Sequence, residues 1–135
     1  MTTNHAAGLL HFLVNNRTLF PFLEGITGCA RIQDFDGRVY RMLPGGGHYD
    51  TWHNDMTENR MVGMSVNLGS APYGGGLFQL RYKASGQMIH EAANTGFGDA
   101  ILFRLDYSLQ HRVTNVEGSV SKLAYAGWFR SAGGP

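Results

Sequence analysis

The stretch Met61-Val62-Gly63-Met64-Ser65-Val66-Asn67-Leu68 alternates two kinds of side chain with a period of two. Val62, Met64, Val66 and Leu68 are apolar, and Gly63, Ser65 and Asn67 between them are small or polar. Successive side chains of an extended chain point to opposite faces, so the stretch reads as a β-strand with one face for a core. Its other face is too small and polar to fill a close-packed interior and reads as the wall of a pocket. Lys122 to Trp128 repeats the pattern: Lys122, Ala124, Ala126 and Trp128 share one face, a charge followed by small residues. Two such strands imply a β-sheet protein in which this second face lines a pocket or faces solvent, two placements that give the same pattern.

Working outward, short apolar runs separated by Gly, Asn, Asp and Ser begin at about residue 30 and continue to residue 130. Strands are expected at Ala30–Phe35, Arg38–Leu43, Met61–Leu68, Leu77–Tyr82, Met88–Glu91, Ala100–Leu105, His111–Val116 and Leu123–Arg130. Asp36-Gly37 and Ser85-Gly86 are placed to turn hairpins. Eight short strands in about 100 residues point to a sandwich or squashed barrel. Helix signals are confined to the start. Leu9, Leu10, Phe12 and Leu13 form one apolar face closed by Asn15-Asn16. A second helix starts with Thr18 as N-cap, carries Pro21 in its first turn and ends at Gly28. The expected organisation is one domain over residues 1–135, with a helical segment at 1–28 and a β core at 30–130.

Composition narrows the function classes. Of 135 residues, 43% are hydrophobic and 16% charged, which is a globular balance. A net charge of +1 offers no footprint for nucleic acid or an anionic membrane. Cys29 is the single cysteine, so neither an intrachain disulfide framework nor a cysteine-rich zinc site can form. It reads as a small buried apolar residue. No apolar run approaches a membrane span, and Met1-Thr2-Thr3-Asn4-His5 lacks the basic start of a signal peptide. A soluble, cytoplasmic protein is expected, and the sequon Asn16-Arg17-Thr18 is expected to be chance. Gly45–Gly47 and Gly74–Gly76 lack the Lys-Ser/Thr of a phosphate loop, and no Gly-X-Ser-X-Gly elbow occurs.

Among six histidines, His5, His11, His48 and His90 have no partner at ligand spacing. His53-Asn54-Asp55 differs: residues i and i+2 of an extended segment point to the same side, so His53 and Asp55 can converge on one ion. His111 opens a later strand. Two imidazoles and one carboxylate on a β scaffold without thiolates suit the facial triad of non-haem Fe(II), which leaves positions open for substrate atoms and O2.

These residues resemble the 2-oxoglutarate- and Fe(II)-dependent dioxygenase superfamily, in particular its prolyl-4-hydroxylase-like branch. The resemblance runs from about Val39 to Arg130. It rests on an ordered set: Tyr40 before a Gly-rich turn, His53-Asn54-Asp55, Gly75-Gly76-Leu77, His111-Arg112-Val113 with Val116, and Lys122 ahead of Trp128-Phe129. It implies a double-stranded β-helix, a jelly-roll of cupin-like architecture, with Fe(II) on His53, Asp55 and His111 and 2-oxoglutarate as cosubstrate with O2. By the same resemblance Lys122 holds the far carboxylate of 2-oxoglutarate, where relatives more often carry Arg, and a point charge replaces a fork. Tyr40 is the expected hydroxyl donor to the cosubstrate, and Ser65 and Asn67 are candidates to line its cavity. Asp55 favours hydroxylation, since halogenating members replace that carboxylate with a small residue. If His111 and Lys122 lie on antiparallel neighbours joined by residues 117–121, they bracket the diacid along one sheet. Gln79 and Arg81 face substrate or water, and Tyr49 and Trp52 are placed to wall the entrance.

The expected reaction is hydroxylation of a C–H bond in a peptidyl residue, amino acid or other small molecule, with release of succinate and CO2. An exposed edge and the apolar N-terminal segment leave room for a homodimer. The rival is a non-catalytic cupin-like module that binds a metal or ligand without turnover.

Overall fold

The computed structural model describes residues 5–45, 51–57 and 59–132. Gly46, Gly47, His48 and Tyr49 lie outside the described residues, as does the side chain of His5. Two helices, α1 (His5–Val14) and α2 (Leu19–Thr27), precede nine strands. These are β1 (Ile32–Met42), β2 (Arg60–Asn67), β3 (Gly74–Gly75), β4 (Phe78–Tyr82), β5 (Met88–Ala92), β6 (Ala100–Arg104), β7 (Leu109–Val113), β8 (Val116–Glu117) and β9 (Lys122–Ser131). The chain is mainly β among the described residues, and its antiparallel sheets form a jelly-roll.

The major sheet runs β1-β9-β2-β6, the minor sheet β5-β4-β7, and β3 pairs β8 at one end. One face of the major sheet carries Phe35, Val62, Met64, Tyr125 and Phe129, which form a core with Phe20 and Leu23 of α2. Full burial of such side chains contributes about 1.5–3 kcal/mol each. Its opposite face looks toward the minor sheet. Registers Met42↔Lys122, Tyr40↔Ala124, Arg38↔Ala126 and Asp36↔Trp128 set that second face on β1 and β9. Ser65↔Ala126 and Asn67↔Ala124 continue it onto β2. Val62, Met64, Val66 and Leu68 belong to or pack on the core as expected, whereas of the opposite face Ser65 alone lines the cavity.

Four expectations need correction. Asp36-Gly37 is not a hairpin turn: β1 runs straight through it, with Gly37 opposite Gly127. A Cβ on Gly127 would meet the Asp36 carbonyl oxygen at 1.9 Å, and one on Gly37 would meet the Phe35 ring at 2.5 Å, so both glycines serve close strand approach. Ser85-Gly86 does turn the β4–β5 hairpin, with Gly86 at φ 71°. His111–Val116 is not one strand. After Val113 the chain leaves the minor sheet, held by Thr114 Oγ1 accepting from the Leu77 N–H, and re-pairs as β8.

In α1 only Leu10 of the expected apolar face is packed. Leu9, Phe12 and Leu13 are 55–75% exposed, while Leu10 and Val14 pack on the core. At the start of α2, Thr18 is itself helical and makes no side-chain cap. Asn16 Oδ1 accepts its N–H at 2.8 Å instead, and Gly28 closes the helix in the left-handed region at φ 68°. Cys29 is half-buried against the core.

Candidate active site

His53 sits just beyond the edge of the minor sheet. Its N–H donates to the His111 carbonyl at 3.1 Å, and the His111 N–H returns a bond to the His53 carbonyl at 2.8 Å. This isolated bridge puts the two imidazoles side by side, ring centroids 4.4 Å apart. Asp55 has φ 57°, making it the one non-glycine residue with positive φ among the described residues. That conformation is sparsely populated for an L-residue, though Asp tolerates it better than most, and it turns the carboxylate back toward the imidazoles.

Asp55 Oδ1 lies 3.5 Å from His53 Nε2 and Asp55 Oδ2 lies 3.1 Å from His111 Nε2. One ligand atom from each of the three residues falls within 4.8 Å of the others, and no other such group occurs among the described residues. His53 Nδ1 is 2.5 Å from the Thr51 carbonyl oxygen, which can only accept. An Nδ1–H suits this contact, and it leaves Nε2 as the ring atom directed at Asp55.

Burial pushes the Asp55 pKa up. The His111 hydrogen bond, the fields of both imidazoles and the Trp128 N–H together outweigh it and hold the group below the ordinary carboxylate value. An ionised carboxylate with two imidazoles is a hard, anionic N/O donor set suited to a divalent transition metal with open positions. Trp128 Nε1 donates to Asp55 Oδ2 at 3.1 Å, and the Arg60 guanidinium covers the Trp128 ring 3.5 Å from its centroid. Sequence reasoning used Trp128 as a spacing marker and missed this contact. Its place on the pocket face of β9 was the available signal.

The cluster opens into a cavity of about 630 Å³ between the two sheets. Lys122, Tyr40 and Ser65 line it together with His53, Asp55 and His111, so these six residues meet in one place. Lys122 is only 4% exposed, and its ammonium lies 3.5 Å from the Gly76 carbonyl oxygen. Ser65 Oγ is buried without a hydrogen-bond partner, so a polar group in the cavity would satisfy an otherwise orphaned hydroxyl. Asn67 is buried too, but its amide bonds the Gly96 carbonyl at 2.9 Å and it does not line the cavity.

His111 and Lys122 are not neighbours in one sheet. β7 belongs to the minor sheet and β9 to the major one, so the two residues face each other across the cavity. The reason is that β7 takes β4 as its partner and the segment after Val113 pairs with β3. Trp52 does not wall an entrance either. Its ring lies under the guanidinium groups of Arg81 and Arg112, at 4.1 and 4.3 Å, on the far side of the minor sheet from His111. Gln79 and Arg81 are committed to the same outer layer: Gln79 to Glu91 and Arg112, Arg81 to Gln110. His11 lies on α1 and His90 is exposed on β5, both apart from the cavity lining.

Phe103, which sequence reasoning passed over, packs 4.6 Å from the His111 ring and 4.7 Å from Phe78. It fills the space above Gly63, its register partner.

A jelly-roll that presents two imidazoles and a carboxylate at the mouth of an intersheet cavity has the donor set of a non-haem metal site. The comparison with known families makes this specific. Residues 37–130 match the 2OG-Fe(II) oxygenase superfamily, and the chain belongs to it. Its enzymes are dioxygenases, and membership implies Fe(II) and 2-oxoglutarate.

Among solved structures, a Pseudomonas putida prolyl-4-hydroxylase superposes with TM-score 0.66 at 22% identity, over 87% of this chain and 62% of its own. An oxidoreductase of the 2OG-Fe(II) oxygenase family from Burkholderia pseudomallei gives TM-score 0.71 at 18% identity, over 94% and 57%. The chain thus spans about three-fifths of the length of these neighbours. Comparison with curated proteins finds no match. No helix among the described residues is long and apolar enough to cross a membrane.

Proposed function

We propose that this protein hydroxylates a C–H bond of an amino acid, peptidyl residue or other small molecule, consuming O2 and 2-oxoglutarate and releasing succinate and CO2. The balance is one oxygen atom into the new hydroxyl and one into the succinate carboxylate, with the C1 carboxylate of 2-oxoglutarate leaving as CO2. The observation that carries the reading is the joint placement of His53, Asp55, His111 and a buried Lys122 around a single cavity.

His53 Nε2, an Asp55 carboxylate oxygen and His111 Nε2 would hold Fe(II). Bound there, the ion supplies O2 activation and chelation of the 2-oxo acid end of the cosubstrate. The work left to the chain is positioning. Lys122 supplies a desolvated positive charge for the distal carboxylate, where a charge-assisted hydrogen bond counts for more than in water. Ser65 Oγ and the Tyr40 hydroxyl supply further polar contacts. Ala126 and Ala124 leave room on the floor between Lys122 and Trp128. Trp128 holds Asp55 Oδ2 in place, and the Thr51 carbonyl fixes the His53 tautomer.

The test is anaerobic visible spectroscopy of metal-free protein titrated with Fe(II), then with 2-oxoglutarate. The same titration is run on His111→Ala and, because His111 is buried, on the more exposed His53→Ala. A charge-transfer band that needs both additions and is absent in both variants supports the reading, and succinate release then screens substrates. A folded wild-type protein that gives no band refutes it and leaves a binding module in its place.

A further inference from the structure

The cavity face of β1 carries Asp36, Arg38, Tyr40 and Met42, in register with Trp128, Ala126, Ala124 and Lys122 of β9. The Trp128 row marks the metal end, because Trp128 bonds Asp55. The Lys122 row marks the closed end. Arg38 stands one row from the metal end, lines the cavity and is exposed to solvent. Between it and Ser65, in the same row, only the methyl group of Ala126 intervenes.

The other arginines near the site are committed. Arg60 lies over Trp128, Arg81 and Arg112 stack on Trp52, and Arg130 forks onto Asp34 and reaches Asp36 at 3.5 Å. Among the described residues no carboxylate lies within ion-pair distance of Arg38. Among the described residues that line the cavity, Arg38 and Lys122 are the two basic side chains besides the imidazoles and Asp55 is the one carboxylate, taken by His53 and His111. If Lys122 answers one end of the cosubstrate, no carboxylate among the described residues answers the second cation at the open side.

We infer that Arg38 is the specificity residue of this site and that it selects a substrate bearing its own carboxylate. The inference rests on the oxygenase reading above and adds the substrate's chemistry to it. A guanidinium presents paired N–H groups that match a carboxylate two-pronged, and at a half-open mouth it does so without the full desolvation cost of a buried ion. Two residues along a strand separate the Arg38 row from the Trp128 row by about 7 Å. A substrate anchored at Arg38 therefore offers a carbon only a few bonds from its carboxylate to the metal end. That geometry suits a free amino acid or small carboxylic acid and disfavours a residue in the middle of a peptide. Ile101 and Phe103, in and beside the same rows of β6, make the surroundings of that carbon apolar.

The experiment uses the full chain under argon, with and without Fe(II) and 2-oxoglutarate. The probes are the proteinogenic amino acids and short straight and branched carboxylic acids, each paired with its carboxamide. Calorimetry reads binding, and succinate release after admitting air reads coupling. At least one acid is expected to bind ten-fold or more tightly than its amide. Arg38→Gln, still forming the Fe(II)/2-oxoglutarate band, is expected to lose that discrimination and raise the acid's KM ten-fold or more. Arg38→Lys should recover part of the discrimination. Amides that bind as well as acids, a panel in which no acid binds, or an Arg38→Gln protein that still discriminates would each overturn the inference. A wild-type protein without the band fails the oxygenase reading alone, because the acid titrations still decide the role of Arg38.

Discussion

Gly63→Ala adds one methyl group and should disable the site from behind. Gly63 is on the cavity face of β2, opposite Phe103 of β6. An added Cβ would stand 2.3, 2.6 and 2.8 Å from three atoms of the Phe103 ring. Ordinary carbon contacts lie near 3.5–4.0 Å, so the ring would have to retreat by about 1 Å or more. Backbone conformation is not the obstacle, because Gly63 has no positive φ. The ring is hemmed in by Phe78 at 4.7 Å and His111 at 4.6 Å, so its retreat presses on the imidazole of a metal-ligating candidate. Overpacking of this kind costs about 1–3 kcal/mol of stability. A displacement of about 1 Å at a reacting centre lowers rates on the order of 100-fold. The assay is urea unfolding beside the Fe(II)/2-oxoglutarate band and 2-oxoglutarate-dependent succinate release, for Gly63→Ala, Phe103→Leu and the double variant. Because the two side chains share one space, the double variant should recover most of both losses. A single variant with a normal band and turnover, or a double variant no better than Gly63→Ala, would refute the argument that Phe103 transmits the strain to His111.

Three further outcomes follow from contacts at or near the site. Lys122→Met should weaken 2-oxoglutarate binding on the order of 100-fold or more, since truncating one partner of a buried charge pair costs about 2–5 kcal/mol. It should do so without loss of Fe(II) binding or of thermal stability in the ligand-free protein, because an ammonium that is 4% exposed is itself costly to bury; unchanged cosubstrate affinity in a calorimetric titration would place that carboxylate elsewhere. Trp128→Phe keeps a ring beneath Arg60 but removes the N–H on Asp55 Oδ2, so Fe(II) affinity should fall about 10–100-fold. That N–H also lowers the Asp55 pKa, so the pH at which metal is lost should move upward in the variant, and an unmoved pH edge would mean the bond contributes nothing to the ligand. Away from the site, the Arg130 fork holds the Asp34 carboxyl below its ordinary value. A depressed folded-state pKa contributes stability above the unfolded value of about 4, lost as pH falls through the folded value. Both groups are about one-third exposed, so Asp34→Asn should cost no more than about 1 kcal/mol near neutral pH and almost nothing in strong acid; a gap that persists in acid would deny the ion pair its part.

How much of this could be seen in the sequence depended on the range of the interaction. Period-two alternation in residues 61–68 and 122–128 is a local property of the chain, and it identified both strands and placed Ser65, Lys122, Ala126 and Trp128 on the side of the cavity. Pairing is not local. Asp36-Gly37 has the composition of a hairpin turn, and only the arrival of Gly127 opposite Gly37 shows that the dipeptide serves close strand approach. For the same reason the sequence placed His111 beside Lys122, since a short segment joins them. It holds no local sign that β7 prefers β4 across the sandwich. In α1 the apolar face of Leu9, Leu10, Phe12 and Leu13 had the right period for a helix, but periodicity does not say that Leu10 with Val14, and not the other three, meets the core. The site residues were accessible because ligand chemistry restricts residue type severely. The Trp128–Asp55 bond was not, because its partners are 73 residues apart and an indole on a strand face has many uses.

The placement of His111 and Lys122 on opposite sheets changes what sets the width of the site. Had they been neighbours in one sheet, their separation would follow from strand register, and a one-residue slip would move it by about 3.3 Å. Across a sandwich it follows instead from the distance between sheets, about 10 Å when the layers are packed face to face. A gap of that size is normally filled by interdigitating side chains. Here the major sheet offers Gly63, Ser65, Ala124 and Ala126 along its middle rows, while Phe103 and Phe78 close one side and Met42 and Tyr73, beside Lys122, close the other. The cavity is therefore a core position left unfilled by short residues between bulky ends. Its cost in packing is balanced on the other face of the same sheet, where Phe35, Tyr125 and Phe129 are 0–1% exposed beneath α2. The two faces of β9 thus divide the work: one stabilises the fold with aromatic residues, and the other keeps a space open next to a strained aspartate and two imidazoles.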